Sequence, residues 1–197
     1  MRFGSKTCAG LMAPVVLTLA GCASPADCCA EPAAAADSAA ALSDAERLAV
    51  ALADADAAYA SGDEARLADA LRRFDAVGGK PLDDTSRDLA MWRAAVDQPP
   101  PMRGRSLGPG YRSGQLSAGR SEQLEQVFLS GKRASVALSA PSGARLKLEV
   151  ADRSQEAVCG KEGNPTHCQW VPLFTDRYQI RIINPGEKAV RYFLVVG

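Results

Sequence analysis

Six cysteines and one histidine carry most of the reactive chemistry in these 197 residues. Cys159 and Cys168 bracket Gly160-Lys161-Glu162-Gly163-Asn164-Pro165-Thr166-His167, a polar stretch punctuated by Gly and Pro that hydrophobic burial could not hold still. They are the natural disulfide pair in an oxidising compartment, and closing such a loop contributes on the order of 2 to 3 kcal/mol in the chain-entropy view. Zinc needs four ligands, and Cys159, His167 and Cys168 have no fourth nearby, so no metal is expected. A Ser-His-Asp site would have to use His167, which sits beside Cys168 and Trp170, and the chain has no strand-Ser-helix elbow. Gly108-Pro109-Gly110 lacks the Lys-Ser/Thr of a phosphate loop and reads as a hinge. Asp54/Asp56 and Asp83/Asp84 read as solvated charge rather than acid-base pairs. No catalytic constellation and no cofactor site emerges. Trp170 and Phe174 flank the cysteine loop and, with Arg177, form a candidate binding patch, against the plainer reading of Trp170 as core.

The other cysteines belong to the leading end. Arg2 and Lys6 precede an apolar run from Leu11 through Ala20, followed by Gly21 and Cys22. At about 1.5 Å per helical residue the run covers only half of a ~30 Å hydrocarbon core, so it is an export signal rather than a membrane span. Leu19-Ala20-Gly21-Cys22 resembles the lipobox of bacterial lipoproteins. That resemblance implies cleavage before Cys22 and a diacylglycerol on its thiol; two or three acyl chains anchor a protein essentially permanently. It also implies, with Ala23 rather than aspartate after the lipid site, sorting to the outer membrane of a Gram-negative cell, facing the periplasm. Cys8 leaves with the signal. Cys28 and Cys29 are adjacent, which strains a mutual bond, so intermolecular pairing or modification stays open.

Residues 22–42 are Ala/Pro-rich and read as a flexible tether. Over 43–98 the pattern is helical. Ser43-x-x-Glu46, Ser61-x-x-Glu64 and Thr85-x-x-Asp88 are capping-box candidates for three helix starts. Leu48, Leu52 and Tyr59 share one face, Leu67, Leu71 and Phe74 a second, and Leu89, Trp92 and Val96 a third, while Gly78-Gly79 ends the second helix. The Tyr59-x-x-Gly62-Asp63 turn faintly resembles a tetratricopeptide unit, but no 34-residue repeat follows. Residues 99–110 form a Pro/Gly-rich linker. Beyond it the period changes to two, in Ser135-Val136-Ala137-Leu138, Leu146 to Val150 and Tyr178 to Ile182; with Val127 to Leu129 and Val190 to Val196 this gives seven or eight short strands over 111–197. The fold class is therefore α+β, a small helical segment followed by an all-β sandwich.

Gln126-Val127-Phe128-Leu129-Ser130-Gly131, Leu146-x-Leu148-x-Val150-x-Asp152 and Thr175-Asp176-Arg177-Tyr178-x-Ile180-x-Ile182-x-Asn184-Pro185-Gly186, followed by Tyr192-x-Leu194, resemble the bacterial pre-peptidase C-terminal domain. The resemblance covers most of Gly114 to Gly197 and implies a jelly-roll-like sandwich serving as an accessory or binding module, without catalysis of its own. Some members bind calcium through clustered carboxylates near the central strand; here Arg145 and Lys147 put cations there, so calcium is not expected. No peptidase precedes the domain in this sequence.

Equal numbers of Lys+Arg and Asp+Glu, 23 each, exclude a wholly basic nucleic-acid binder. The balance is uneven along the chain: residues 22–97 hold 7 basic against 15 acidic residues, and 99–197 hold 14 against 8. Either the sandwich meets an acidic envelope polymer or protein, or it docks on its own acidic helices. The expectation is an outer-membrane-anchored, non-catalytic binding or accessory module, held to the membrane by its lipid, with no small-molecule cofactor. The alternative is an assembly lipoprotein whose helices contact a larger envelope complex.

Overall fold

A computed structural model describes residues 42–82, 86–99, 101 and 108–197. The signal segment, Cys22 and the Ala/Pro-rich stretch lie outside the described residues, as does Thr85 of the third capping box.

Ser43 opens helix α1 (Asp44–Ser61) with the expected reciprocal box: the Glu46 amide donates to Ser43 Oγ at 3.2 Å and the Ser43 amide donates to Glu46 Oε2 at 3.0 Å. Helix α2 (Glu64–Val77) starts differently from expectation. Ser61 ends the preceding helix and its hydroxyl donates to the Ala58 carbonyl; Gly62 turns the chain at φ 69°, and Asp63 becomes the N-cap by accepting from the Arg66 amide. A carboxylate next to the turn displaces the hydroxyl two residues earlier. Gly78 ends α2 at φ 77°. Leu48 and Leu52 are buried as expected, but Tyr59 is 43% exposed, and Ala45, Ala49, Ala51, Ala55 and Ala58 fill the buried positions of α1. Such small side chains let a helix lie close against its neighbours.

Strand β1 (Lys80–Pro81) and helix α3 (Ser86–Ala95) complete the helical half. The sandwich follows: β2 (Gly110–Leu116), β3 (Ser121–Phe128), β4 (Ala134–Ser139), β5 (Leu146–Ala151), β6 (Ala157–Gly163), β7 (Thr166–Trp170), β8 (Asp176–Ile183) and β9 (Val190–Val196). One sheet runs β1-β2-β9-β4-β7 and the other β3-β8-β5-β6. Every pairing is antiparallel except that of β1 with β2. Only the β5–β6 connection stays within one sheet; the others among β2 to β9 cross between sheets.

Leu138, Leu148, Ile180, Ile182, Tyr192 and Leu194 fill the space between the sheets. The alternate residues Ala137, Phe193 and Val195 face the other way and pack with Leu48, Leu52, Leu71, Phe74 and Trp92 of the helices. The described residues therefore form three layers, with β4 and β9 buried on both faces. That double burial is why Tyr192 to Val196 is uninterruptedly apolar. The Gly108–Gly110 stretch is pinned rather than hinged: the Pro109 carbonyl accepts from the Lys80 amide, and a Cβ on Gly108 would fall 1.8 Å from the Gly78 carbonyl oxygen.

The stretch between Cys159 and Cys168 is also different from a loop. It is strand β6 in one sheet, a corner at Asn164-Pro165, and strand β7 in the other. The Cys159–Cys168 disulfide, with Cα atoms 5.9 Å apart, thus joins the two sheets across one side of the sandwich.

Candidate functional site

At one end of the sandwich the β3–β4 connection (129–133) and the β7–β8 connection (171–175) are tied together. The Gly131 amide donates to the Pro172 carbonyl at 2.9 Å, the Ser130 amide to Thr175 Oγ1 at 3.0 Å, and the Ser130 hydroxyl to the Leu173 carbonyl at 2.8 Å. Gly131 allows this turn because it sits at φ 67°. With their polar atoms turned toward each other, the two loops present Leu129, Val171, Leu173 and Phe174 to solvent, Leu173 at 82% exposure and Phe174 at 77%.

Beneath them, Trp170 packs edge-to-face on Phe128 at 4.8 Å and tilts on Tyr178 at 5.4 Å, and Phe128 meets Tyr178 at 5.7 Å. The three candidate patch residues are thus divided. Trp170 braces the loops from inside, Phe174 points outward beside Leu173, and Arg177 lies on the outer face of the four-stranded sheet, donating to Glu125 at 2.9 Å. The residues that join Phe174 are Leu129, Val171 and Leu173. Their signal in the sequence is large apolar side chains around Pro172, outside any alternating strand pattern.

Lys132 and Arg133 stand exposed on the β3–β4 loop and line, with Leu129, Val196 and Gly197, a hollow of about 230 Å³. Neither cation makes an ion pair among the described residues. No Asp or Glu occurs in 127–133 or 169–175. The loop end is apolar at its tip and cationic at its rim.

A second hollow, of about 820 Å³, lies between the first turn of α1 and the five-stranded sheet, bordered by Leu42, Ser43, Arg133, His167 and Gly197. On its wall Glu46, only 7% exposed, accepts from the Ser43 hydroxyl at 2.9 Å through Oε2 and places Oε1 2.8 Å from His167 Nδ1. The Ser43 hydroxyl is directed at the carboxylate and not at the imidazole. This is a histidine held beside a carboxylate, with no nucleophile aligned on it among the described residues.

The outer face of the four-stranded sheet carries a third hollow, of about 610 Å³, with Glu125, Asp152, Arg153, Asp176 and Arg177 along it. Asp152 is spent on its own turn, accepting from the Ser154 and Glu156 amides at 2.8 and 2.9 Å. Among the described residues no group of three or more His, Cys, Asp or Glu side chains is placed to hold a metal, and no helix is long and apolar enough to cross a membrane.

The opposite charges of the two halves meet inside the molecule. Arg191 of β9 pairs with Asp56 of α1 at 3.4 Å and with Asp88 of α3, while its guanidinium lies 5.4 Å from the Phe193 ring centre. Burial at this seam pushes the Asp56 carboxyl above its ordinary pKa; Arg191 pulls it down and Asp88 adds to the rise. Part of the sandwich's positive charge is therefore used to hold its own helices.

No protein-family profile matches the chain, and no curated protein matches it. Among solved structures it is similar to the pre-peptidase C-terminal domain of collagenase from Bacillus anthracis (15% identity, TM-score 0.40, covering 44% of this chain and 87% of that one). It is also similar to PliG from Aeromonas hydrophila, a periplasmic inhibitor of g-type lysozyme (14% identity, TM-score 0.39, 60% and 94%). A third likeness is to the Yersinia pseudotuberculosis-derived mitogen (10% identity, TM-score 0.40, 45% and 84%). The class that the chain's own strand order and surface define is a helix-buttressed β-sandwich with an apolar loop end.

Proposed function

We propose that the chain is an outer-membrane lipoprotein, attached through acylated Cys22, that works in the cell envelope as a non-catalytic binding or accessory module, with the loop end of its sandwich as the binding surface. The observation that carries the binding surface is the exposure of Leu129, Val171, Leu173 and Phe174 on two loops tied to each other by three hydrogen bonds. A folded protein leaves a compact apolar cluster in water mainly where something else covers it. The alternative role in assembly through the helices has less surface to draw on, because their apolar faces are buried against the chain's own sheet. The clamped His167 and the turn-bound Asp152 fit a non-catalytic reading.

Two variants test it. Cys22→Ser abolishes acylation and leaves an uncleaved precursor or a soluble product, read by mass and by fractionation. Leu173→Ser with Phe174→Ser keeps the thermal transition and loses retention of envelope material by the purified protein. Full-length chain found free in cytosolic extracts, unacylated and with reduced Cys159 and Cys168, overturns the reading.

A further inference from the structure

We propose that what covers the loop end is the phospholipid surface itself: Leu129, Leu173 and Phe174 enter the acyl boundary of a bilayer while Lys132 and Arg133 sit among its phosphates. This deepens the anchored-module reading and rests on it, and four observations converge on it.

Shape comes first. Leu173 and Phe174 are among the most exposed large apolar side chains and Leu129 stands beside them at the rim of a shallow hollow, so together they suit a soft, laterally continuous partner. Main-chain chemistry is second. Entering a low-dielectric boundary is costly for any unpaired amide or carbonyl, and the cross-loop bonds satisfy the amides of Ser130 and Gly131 and the carbonyls of Pro172 and Leu173 in advance. Charge is third: two cations at the rim and no carboxylate in either loop complement an anionic headgroup layer.

Position is fourth. Arg133 and Gly197 border the hollow that contains Leu42, and the same two residues border the hollow that contains Leu129 and Lys132. The chain thus enters the described fold at Leu42, on the end of the sandwich that carries the apolar loops. Residues 23–41 connect this point to Cys22, and 19 residues reach at most about 70 Å at ~3.5 Å each. A lipid on Cys22 therefore holds the loop end at an effective concentration on the order of millimolar near the bilayer, where weak partitioning is enough.

The test uses the full acylated chain in vesicles of phosphatidylglycerol and phosphatidylcholine with brominated acyl chains. Leu173→Trp places a reporter on the tip; Ser142→Trp places one on the β4–β5 loop at the opposite end. The emission added by Leu173→Trp shifts to the blue and is largely quenched, and that added by Ser142→Trp is unaffected. Reversing Lys132 and Arg133 to Glu lowers tip partitioning on anionic vesicles by at least about fivefold for each cation removed, with little change on pure phosphatidylcholine. Flotation with the vesicles and the mass of the N-terminal peptide report the anchor separately. Flotation of acylated chain with an unquenched tip overturns the proposal while leaving the anchor intact. A chain that proves unacylated but still shows a vesicle-dependent blue shift at the tip supports lipid docking and removes the anchor. A tip indifferent to lipid that instead retains a protein partner overturns the proposal.

Discussion

Glu46 Oε1 lies 2.8 Å from His167 Nδ1, so the carboxylate that closes the first turn of α1 also ties that helix to strand β7 of the sandwich. The contact joins two layers and uses both oxygens of one buried side chain. Glu46→Ala removes the carboxylate half of the capping box and the histidine contact together, while the residue-46 amide still donates to Ser43 Oγ, and urea unfolding should show a loss of about 1 to 3 kcal/mol. His167→Ala leaves the cap in place and should cost less than half as much. Equal losses would show that the carboxylate's bonds to Ser43 contribute nothing.

Reduction of Cys159–Cys168, or replacement of both by Ser, should lower stability by about 2 to 4 kcal/mol in denaturant titrations with and without reductant. Because the bond crosses from one sheet to the other, amide exchange in β6 and β7 should accelerate more than in β8 or β9. Uniform acceleration would show that the bond acts only through the unfolded chain.

Asp56 should make an acid-side contribution opposite to that of an ordinary paired carboxylate. Its folded pKa is raised above 3.8, chiefly by burial, so on acidification the folded chain takes up this proton before the unfolded chain does. Its contribution to stability therefore grows as pH falls through the folded value, and its charge is a net cost above that value. Parent and Asp56→Asn, unfolded in urea from neutral pH down to pH 4, should diverge in the parent's favour as pH falls. A difference that stays flat or runs the other way refutes the assignment.

Asn184 begins the Asn-Pro-Gly turn and is buried. Its side-chain amide donates to the carbonyls of Leu116, Ser117 and Lys188, and its Oδ1 accepts from the Gly186 amide. Asn184→Ala strands several main-chain groups at once and should cost about 2 to 4 kcal/mol by thermal or urea unfolding. Asn184→Asp, which keeps the shape but cannot donate, should recover little of it.

The sandwich is legible wherever one strand face is buried and the other wet, as in Leu146-x-Leu148-x-Val150. Strand β6 escapes because it buries no residue fully; its place is set by backbone pairing with β5 and by Cys159, neither of which leaves a period in the residues, and β7 alternates over only five residues with a threonine and a cysteine as its buried positions. In α1 the large Tyr59 attracts attention while alanines make the interface, since a helix pressed between a sheet and another helix has room for little else. Docking of the helices is written in the unbroken Tyr192 to Val196 run, which a one-sided strand would not need. The loop end is half legible. Phe174 stands out beside the cysteines, but that Ser130 and Gly131 meet Pro172, Leu173 and Thr175 across more than forty residues of chain follows from the topology alone.

The short parallel pairing of β1 with β2 has a consequence for molecules held together at high density. An open ladder on the outside of the five-stranded sheet would invite a second copy to continue it, and that is how crowded β-proteins polymerise. Here the outermost strand is two residues long, Lys80 brings a charge and Pro81 lacks the amide hydrogen that an incoming strand would need. A second copy approaching the sheet at Gly110 and Tyr111 therefore meets a two-residue strand with a charge and a missing donor, a poor ladder to extend.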